Sequence, residues 1–371
     1  MRAALTLAVL ATTLSSLTSF AWLAPATARA DTPPGIWDIA RDPEERHSWT
    51  VHVRVQRLLQ PAGEDEGPIA AGAVILRLAS ARGILQEANA AQASDVRLQF
   101  DLGAVDYDLG SREGRPDLIE EAIRVLVPAL ERHPDHPAAT DALEHLVYCY
   151  VKLNRPEDEL AAWHRYIPRL TDDRSRALAL MNMGEAQMRL GHVDDALDTF
   201  REVLRVLTEL PNSMTTYVLA GWDLAVALDR AGDSRGATEE ASRLLGMGAF
   251  APNRHTALPV LSRAQLGTAV LRSQGVFFVP AWEVEWYFAV AATADARDAA
   301  DPGAASEAWA EAERHWNRYV AQSSSSSEPD PWLPIARVRL AHAHAQRVAA
   351  EQRARRAPKQ PSHPPQWRTI D

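Results

Sequence analysis

A segment near the middle of the chain carries small and aromatic residues at the positions that decide how two helices pack. Apolar residues recur at helical spacing through residues 177–200, with Gly184 inside the first helical stretch and Gly191 in the turn that follows. Ala196 and Phe200 lie in the second stretch. Glycine and alanine let helix backbones approach closely, and the phenylalanine ring fills the remaining gap. The segment therefore predicts a helical hairpin.

This helical hairpin repeats along the chain. The positions at which its two helices cross are Ala122, Glu159, Ala196 and Ala237, which lie 37, 37 and 41 residues apart. A single hairpin cannot bury its apolar face alone, so several in series predict a stack that shares one continuous core. We predict such a helical-repeat domain over residues 67–320. An irregular α-helical domain with similar alanine-rich helices is the alternative.

The order of glycine, turn, alanine and aromatic residue resembles the tetratricopeptide repeat (TPR). The usual period is ~34 residues, so the longer spacing implies longer helices or connections. Glu159 departs from the small residue that the family has at the crossing. The resemblance implies an all-α solenoid of antiparallel helix pairs, whose first helices line a concave groove that binds partner peptides. It therefore implies a non-enzymatic scaffold for protein–protein interaction.

Nine residues on the first helices of three consecutive pairs are the candidate groove residues that the resemblance implies. They are Glu144, Tyr148, Lys152, Met181, Glu185, Arg189, Trp222, Val226 and Arg230. Within each helix they recur at four-residue spacing and so share one face. Lys152, Arg189 and Arg230 form a row of cations suited to an acidic segment or a terminal carboxylate. For Trp222 and Met181, burial between repeats is the alternative to a binding role.

The N-terminal residues have the pattern of a signal peptide. Arg2 precedes an uncharged, largely apolar stretch that ends at Ala28 and Ala30, the small residues that a signal peptidase accepts. We expect residues 1–30 to be removed by cleavage after Ala30, which predicts an exported bacterial protein, periplasmic or secreted. An uncleaved membrane anchor is the alternative, because the stretch is nearly as long as the ~20 residues that span a bilayer.

Composition divides the rest of the chain. Residues 31–66 predict an extended, proline-containing leader and then a first element at 48–59, which alternates enough for a strand but suits a helix nearly as well. Residues 321–331 predict a flexible Ser/Pro-rich linker, and residues 332–353 predict a helix that caps the repeats. Residues 354–371 predict a disordered basic tail, which either solubilises the chain or docks on anionic envelope polymers or on the lipid head groups of a membrane surface.

The net charge limits the class of partner, and the cysteine content bears on reactivity. The formal net charge is -10, which repels nucleic-acid phosphates, so nucleic acid is not an expected partner. The expected partner is an envelope protein or peptide. The single cysteine, Cys149, lies in an apolar run and predicts a small buried hydrophobe rather than a reactive thiol.

The sequence lacks the motifs that carry common chemistry. It has no glycine-rich phosphate loop after a strand, no nucleophile elbow and no metalloprotease pair of histidines. We therefore predict no catalytic residue, no cofactor and no metal site. Three His-bearing segments leave a metal-dependent enzyme or metal-binding protein as the alternative: residues 133–137, the pair Glu311 and His315, and residues 342–344. A structural subunit of an envelope assembly is a further alternative.

Overall fold

The computed structural model describes residues 43–60, 71–247, 263–273, 276, 278–327 and 329–356. Over these residues the chain contains fourteen α-helices, three short 3₁₀ turns and no strand, which confirms the predicted all-α class. It divides into two compact units, residues 1–199 and residues 200–371, and the division falls inside one helix. The sequence, by contrast, predicts a single repeat domain over residues 67–320.

The helices follow one another with short connections. The first unit holds α1 Pro43–Leu59, α2 Ala71–Ala91, α3 Val96–Glu113, α4 Pro116–Arg132, α5 Ala139–Lys152, α6 Pro156–Tyr166, α7 Asp173–Arg189 and the start of α8 Val193–Glu209. The second unit holds the rest of α8 and α9 Met214–Arg230, α10 Ser234–Met247, α11 Arg263–Gly267, α12 Val284–Asp298, α13 Pro302–Ser324 and α14 Leu333–Arg356.

Consecutive helices pack in pairs of the TPR type, as predicted. α1 contacts α2, α3 contacts α4, α5 contacts α6, α9 contacts α10 and α12 contacts α13. Because two or three residues join most of these helices, the paired helices are antiparallel. Five of the connections between helices contain a residue with left-handed backbone: Gly114, Asn154, Gly191, Asn212 and Gly232.

The crossing positions are buried as the sequence predicted. Ala122, Ala196 and Ala237 are at most 1% exposed, and so is Glu159, which stands where the resemblance called for a small residue. The alanines let the two helices of a pair approach closely. Glu159 is accommodated in a different way, through polar partners described below.

Gly191 is a position where the backbone itself requires glycine. Its φ is +78°, and a Cβ added there would meet no atom within 4 Å, so the strain of a substitution lies in the backbone alone. We expect Gly191→Val to lower the free energy of unfolding by about 1–3 kcal/mol. Gly83→Val is the control, because Gly83 is an exposed helical residue with open space around it. Its effect should stay within about 0.5 kcal/mol in urea melts. Equal effects of the two changes would contradict the role of the turn.

The first element is a helix, and it starts earlier than the sequence indicated. α1 begins at Pro43, so the predicted extended leader is wrong over residues 43–47 and the strand alternative for 48–59 is wrong as well. Val55 of α1 is 1% exposed and belongs to one hydrophobic cluster with Leu78, Leu85 and Leu98. A lone strand would have had no partner for its backbone groups, whereas a helix satisfies its own.

The predicted linker is a structured turn where the structure describes it. α13 continues to Ser324, and the buried Ser323 donates its hydroxyl hydrogen bond to Asp330 Oδ2 at 2.5 Å. The other carboxylate oxygen of Asp330 accepts from the backbone N–H of Trp332 at 2.9 Å. These bonds hold the connection between α13 and α14, so the prediction of a flexible linker at 321–331 is wrong for these residues.

The last helix packs through small residues. α14 contacts α13, and its buried positions are Ala336, Ala343 and Ala350, seven residues apart. The larger Val338 on the same helix is 63% exposed. Alanine allows the two helix backbones to lie close together, which a face of large aliphatic residues would prevent. Helix α14 also extends three residues into the predicted disordered tail, as far as Arg356.

Two predictions at the chain ends lie outside the described residues. These are the signal peptide at residues 1–30 and the tail from residue 357 onward. Among the described helices, none combines the length and the apolar composition needed to cross a bilayer. The predicted burial of Cys149 is confirmed, since it is 0% exposed and burial raises the pKa of its thiol.

Candidate binding faces

Two first helices of the first unit bring aromatic and acidic side chains together. We call this surface the aromatic–acidic face; it consists of Tyr107 and Asp108 on α3 and of Glu144, His145 and Tyr148 on α5. The rings of Tyr107 and Tyr148 stack, with centroids 6.3 Å apart and planes 26° apart. The His145 ring meets Tyr107 edge-on, at 5.9 Å and 78°. All five residues are half-buried.

The carboxyl groups of the aromatic–acidic face are held in a poorly solvated setting. Burial raises the pKa values of Asp108 and Glu144, and the neighbouring His145 lowers both. Burial also raises the pKa of the Tyr148 phenol, and the nearby Glu144 carboxyl adds to that effect. A charged carboxylate here has lost part of its hydration, so an approaching cation would stabilise it.

Of the aromatic–acidic face, the sequence pattern predicted Glu144 and Tyr148 but not their neighbours. Tyr107 and Asp108 lie on the first helix of the pair that contains Ala122, which was not among the three pairs from which the groove residues were chosen. His145 stands one residue away from the chosen four-residue spacing. The signal that could have found Tyr107 was its place on the first helix of the preceding pair, because first helices of neighbouring pairs, here α3 and α5, contact each other.

The remaining candidates in the first unit differ from one another in exposure. Lys152 is exposed at the end of α5 and follows Tyr148 by one helical turn. Glu185 is half-buried on α7. Met181 is 8% exposed, so it belongs to the core, which is the alternative that the sequence left open.

Arg189 forms an ion pair with the buried Glu159 and does not face an open groove. Its Nη2 donates to Glu159 Oε2 at 2.5 Å, and the indole N–H of Trp163 donates to Glu159 Oε1 at 3.2 Å. Burial raises the pKa of Glu159, and the Arg189 guanidinium lowers it. The guanidinium therefore compensates the charge of a carboxylate that is buried where two helices cross. Because Arg189 is engaged in this way, the prediction that it is a groove cation for a ligand is wrong.

The three candidates on α9 lie in the core of the second unit. Trp222 is 0% exposed and Val226 is 1% exposed, and the Trp222 indole N–H donates to the carbonyl oxygen of Gly267 at 3.3 Å. Arg230 is 5% exposed and forms an ion pair with Glu283. The prediction that these residues face an open groove is therefore wrong. Helix α9 is covered by later segments of the chain, which four-residue spacing alone does not reveal.

The polar core around α9 contains further partners. Asp229 forms an ion pair with Arg339, whose Nε lies 2.9 Å from Asp229 Oδ1, and it accepts the indole N–H of Trp286 at 3.1 Å. Asp223 accepts the hydroxyl hydrogen bond of Tyr287 at 2.8 Å. Burial raises the pKa of Asp223 to about 7, against the lowering effect of that hydrogen bond.

The three His-bearing segments do not assemble a metal site in the described part of the chain. No group of three or more His, Cys, Asp or Glu side chains is arranged there to hold an ion. His136 accepts the backbone N–H of Ala138 at 3.0 Å, which is a turn contact. His315 Nδ1 lies 2.6 Å from Glu285 Oε2. His344 lies 2.9 Å from Glu313, whereas His342 contacts Trp309 instead.

Comparison with known proteins adds little to this description. No family model matches the chain, and no curated protein matches it. Among solved structures, a putative kinesin light chain of Podosopora anserina with nearly identical TPR-like repeats is similar at 12% identity and a TM-score of 0.36, covering 68% of this chain and 96% of that one. A variant of that protein gives the same identity and TM-score, with 67% and 95% covered. At this TM-score the likeness carries no argument, so the TPR-like assignment rests on the helix pairs themselves.

Proposed function

We propose that the protein is a non-enzymatic scaffold of the cell envelope, periplasmic or secreted, which binds a partner protein through the aromatic–acidic face. The observation that carries the proposal is the stacked pair Tyr107 and Tyr148, with Asp108 and Glu144 beside it, on two adjacent first helices. Tyrosine is enriched at binding hot spots because one ring supplies both apolar area and a polar tip.

The chemistry of the face selects the kind of segment that it would bind. A Lys or Arg side chain of the partner would approach the carboxyls of Asp108 and Glu144, whose pKa values burial has raised. The two tyrosine rings offer cation–π contacts worth ~0.5–2 kcal/mol. The proposed ligand is therefore a basic segment of an envelope protein, and the acidic net charge of -10 would assist its approach. This replaces the acidic ligand that the predicted row of cations suggested.

Location and lack of catalysis rest on the sequence. The charged start, apolar stretch and small exit residues of residues 1–30 support export. The lack of any recognisable catalytic motif supports a binding role. The basic residues of the tail support an additional weak attraction to an anionic membrane surface.

A site-specific crosslinking experiment tests the proposed face. A benzoylphenylalanine placed at Lys152, one turn from Tyr148, should crosslink a defined partner segment in envelope extract, which mass spectrometry would then identify. The same photo-crosslinker at Arg124 is the control, because Arg124 lies on α4 with a side chain that is 67% exposed. A synthetic copy of the identified segment should compete at Lys152. The same products at both positions, or no competition, would contradict the proposal.

Binding of the identified segment should depend on the Tyr148 ring. We expect Tyr148→Ala to weaken its Kd about thirtyfold, which corresponds to ~2 kcal/mol at a hot spot. Tyr148→Phe, which keeps the stacked ring, should bind nearly as well as the wild type, and Arg124→Ala should bind equally well. Lys152→Ala should not weaken binding, because it removes a like charge next to the site for a basic segment, and it should change the free energy of unfolding by at most about 0.5 kcal/mol. If Lys152→Ala destabilised the fold as much as Gly191→Val, its assignment to the surface would be wrong.

A further inference from the structure

The second unit contains a cavity that none of the nine predicted groove residues lines. Its volume is about 120 Å³. Helices α10, α12, α13 and α14 line it, together with Asp229 at the end of α9. For comparison, an apolar cavity of ~150 Å³ holds a benzene ring. The space therefore suits a small organic group rather than a folded segment.

Part of the cavity wall is apolar and aromatic. This part consists of Trp309 and Trp316 on α13, Val290 on α12 and Ala343 on α14. Both tryptophans are at most 5% exposed. The indole of Trp309 meets the ring of His342 edge-on, with centroids 5.8 Å apart. Such walls favour an apolar body in the ligand.

The charged groups of the cavity leave one cation without a carboxylate. Arg339 is neutralised by Asp229, as described above. Arg297 forms no ion pair within the described residues; instead its Nη1 donates to the Thr238 hydroxyl at 2.5 Å. The Thr238 hydroxyl in turn donates to the carbonyl oxygen of Ser234 at 2.8 Å, so its lone pairs face Arg297. A neutral acceptor thus orients the guanidinium without cancelling its charge.

The surroundings of His342 agree with a positive potential in this cavity. Burial lowers the pKa of His342, and the charges of Arg297 and Arg339 lower it further. His342 is therefore neutral at pH 7, and the lining carries two cations and one anion. One negative charge would balance it. A monovalent anion fits this balance better than a phosphate, which carries more charge and prefers several cations.

We infer that this cavity binds a carboxylate that carries a short apolar group, with the carboxylate on Arg297 and the apolar group between Trp309 and Val290. The arrangement joins a guanidinium that lacks an acidic partner among the described residues to a small apolar space, and these two features match both ends of such a ligand. Arg297 is exposed and so stands at the mouth. Either a free small acid or the last residue of a peptide has this chemistry.

Calorimetry on the full chain tests the inference. 3-Methylbutanoate should bind at pH 7, whereas 3-methylbutanamide, which has the same shape without the charge, should bind at least tenfold more weakly. Arg297→Gln should weaken binding of the acid by a similar factor. Arg314→Gln is the matched control, because Arg314 is exposed on α13 and does not line the cavity. It should leave the affinity unchanged.

A second set of ligands distinguishes the two sources of the carboxylate. A peptide that ends in valine, with a free and with an amidated carboxyl terminus, is compared with the free acid. Tighter binding of the free-ended peptide assigns the cavity to a peptide end, and tighter binding of the free acid assigns it to a small metabolite. If the acid and the amide bind alike, if Arg297→Gln has no effect, or if none of these ligands binds, the inference is overturned. The aromatic–acidic face would be untouched by that result, since it lies in the first unit.

Discussion

Arg230→Ala is expected to destabilise the second unit by about 3–5 kcal/mol, because it removes a buried guanidinium from an ion pair with the largely buried carboxylate of Glu283. The Arg230 side chain is 3% exposed and that of Glu283 is 15% exposed, and the two form an ion pair. The guanidinium also lies 4.5 Å from the centroid of the Trp286 ring and 4.8 Å from that of Trp332. Its removal therefore opens a space between two tryptophans as well.

The measurement must report on the second unit, since two units need not unfold together. Amide hydrogen exchange of α9 and α12 provides this. Arg235→Ala is the control: Arg235 pairs with Glu239 on α10, and its side chain is 88% exposed. An exposed pair contributes at most about 1 kcal/mol, so protection should hardly change. The double change Arg230→Met with Glu283→Gln should recover part of the lost stability, because neither charge of this ion pair remains. An Arg230→Ala protein as stable as Arg235→Ala would show that the ion pair is not buried in solution.

Asp223→Asn is expected to stabilise the protein increasingly as the pH rises. The folded-state pKa of Asp223 is about 7, above the value of ~3.9 for an unfolded aspartate. A carboxyl whose pKa is raised by folding stabilises the fold fully below the unfolded value, and this stabilisation is lost as the pH rises through the folded value. The window is therefore about pH 4 to 7. Burial is the main cause, and the carboxylate of Glu283 adds to it.

The size of the effect follows from the two pKa values. Ionising Asp223 in the folded protein costs on the order of 4 kcal/mol above pH 8. Asparagine avoids this cost and can still accept the hydroxyl hydrogen bond of Tyr287. Urea melts of both proteins from pH 5 to pH 8 should therefore diverge with rising pH. Asp117→Asn is the control, because Arg115 lowers the pKa of the fully exposed Asp117 and the pH trend should be small and opposite. Parallel profiles for Asp223→Asn and the wild type would contradict the raised pKa.

Much of the candidate site could not have been chosen from spacing alone. Glu144, Tyr148 and Lys152 share one face of a helix, and that face is partly open. Trp222 and Arg230 share a face by the same rule, yet later segments of the chain cover them, among them Glu283 and Gly267. Periodicity states which side chains lie together on a helix, but it does not state what packs against them.

The sequence by itself determined the helix pairs, because their signals are local. Helical spacing, the left-handed turn at Gly191 and the alanine crossings at Ala122 and Ala196 act within about forty residues of chain. Only the tertiary structure decided which polar groups are buried. Glu159 pairs with Arg189, which is thirty residues away in the sequence, and Arg230 pairs with Glu283, which is fifty-three residues away. The burial of a charge depends on such distant partners, and no local pattern in a single sequence encodes where they meet.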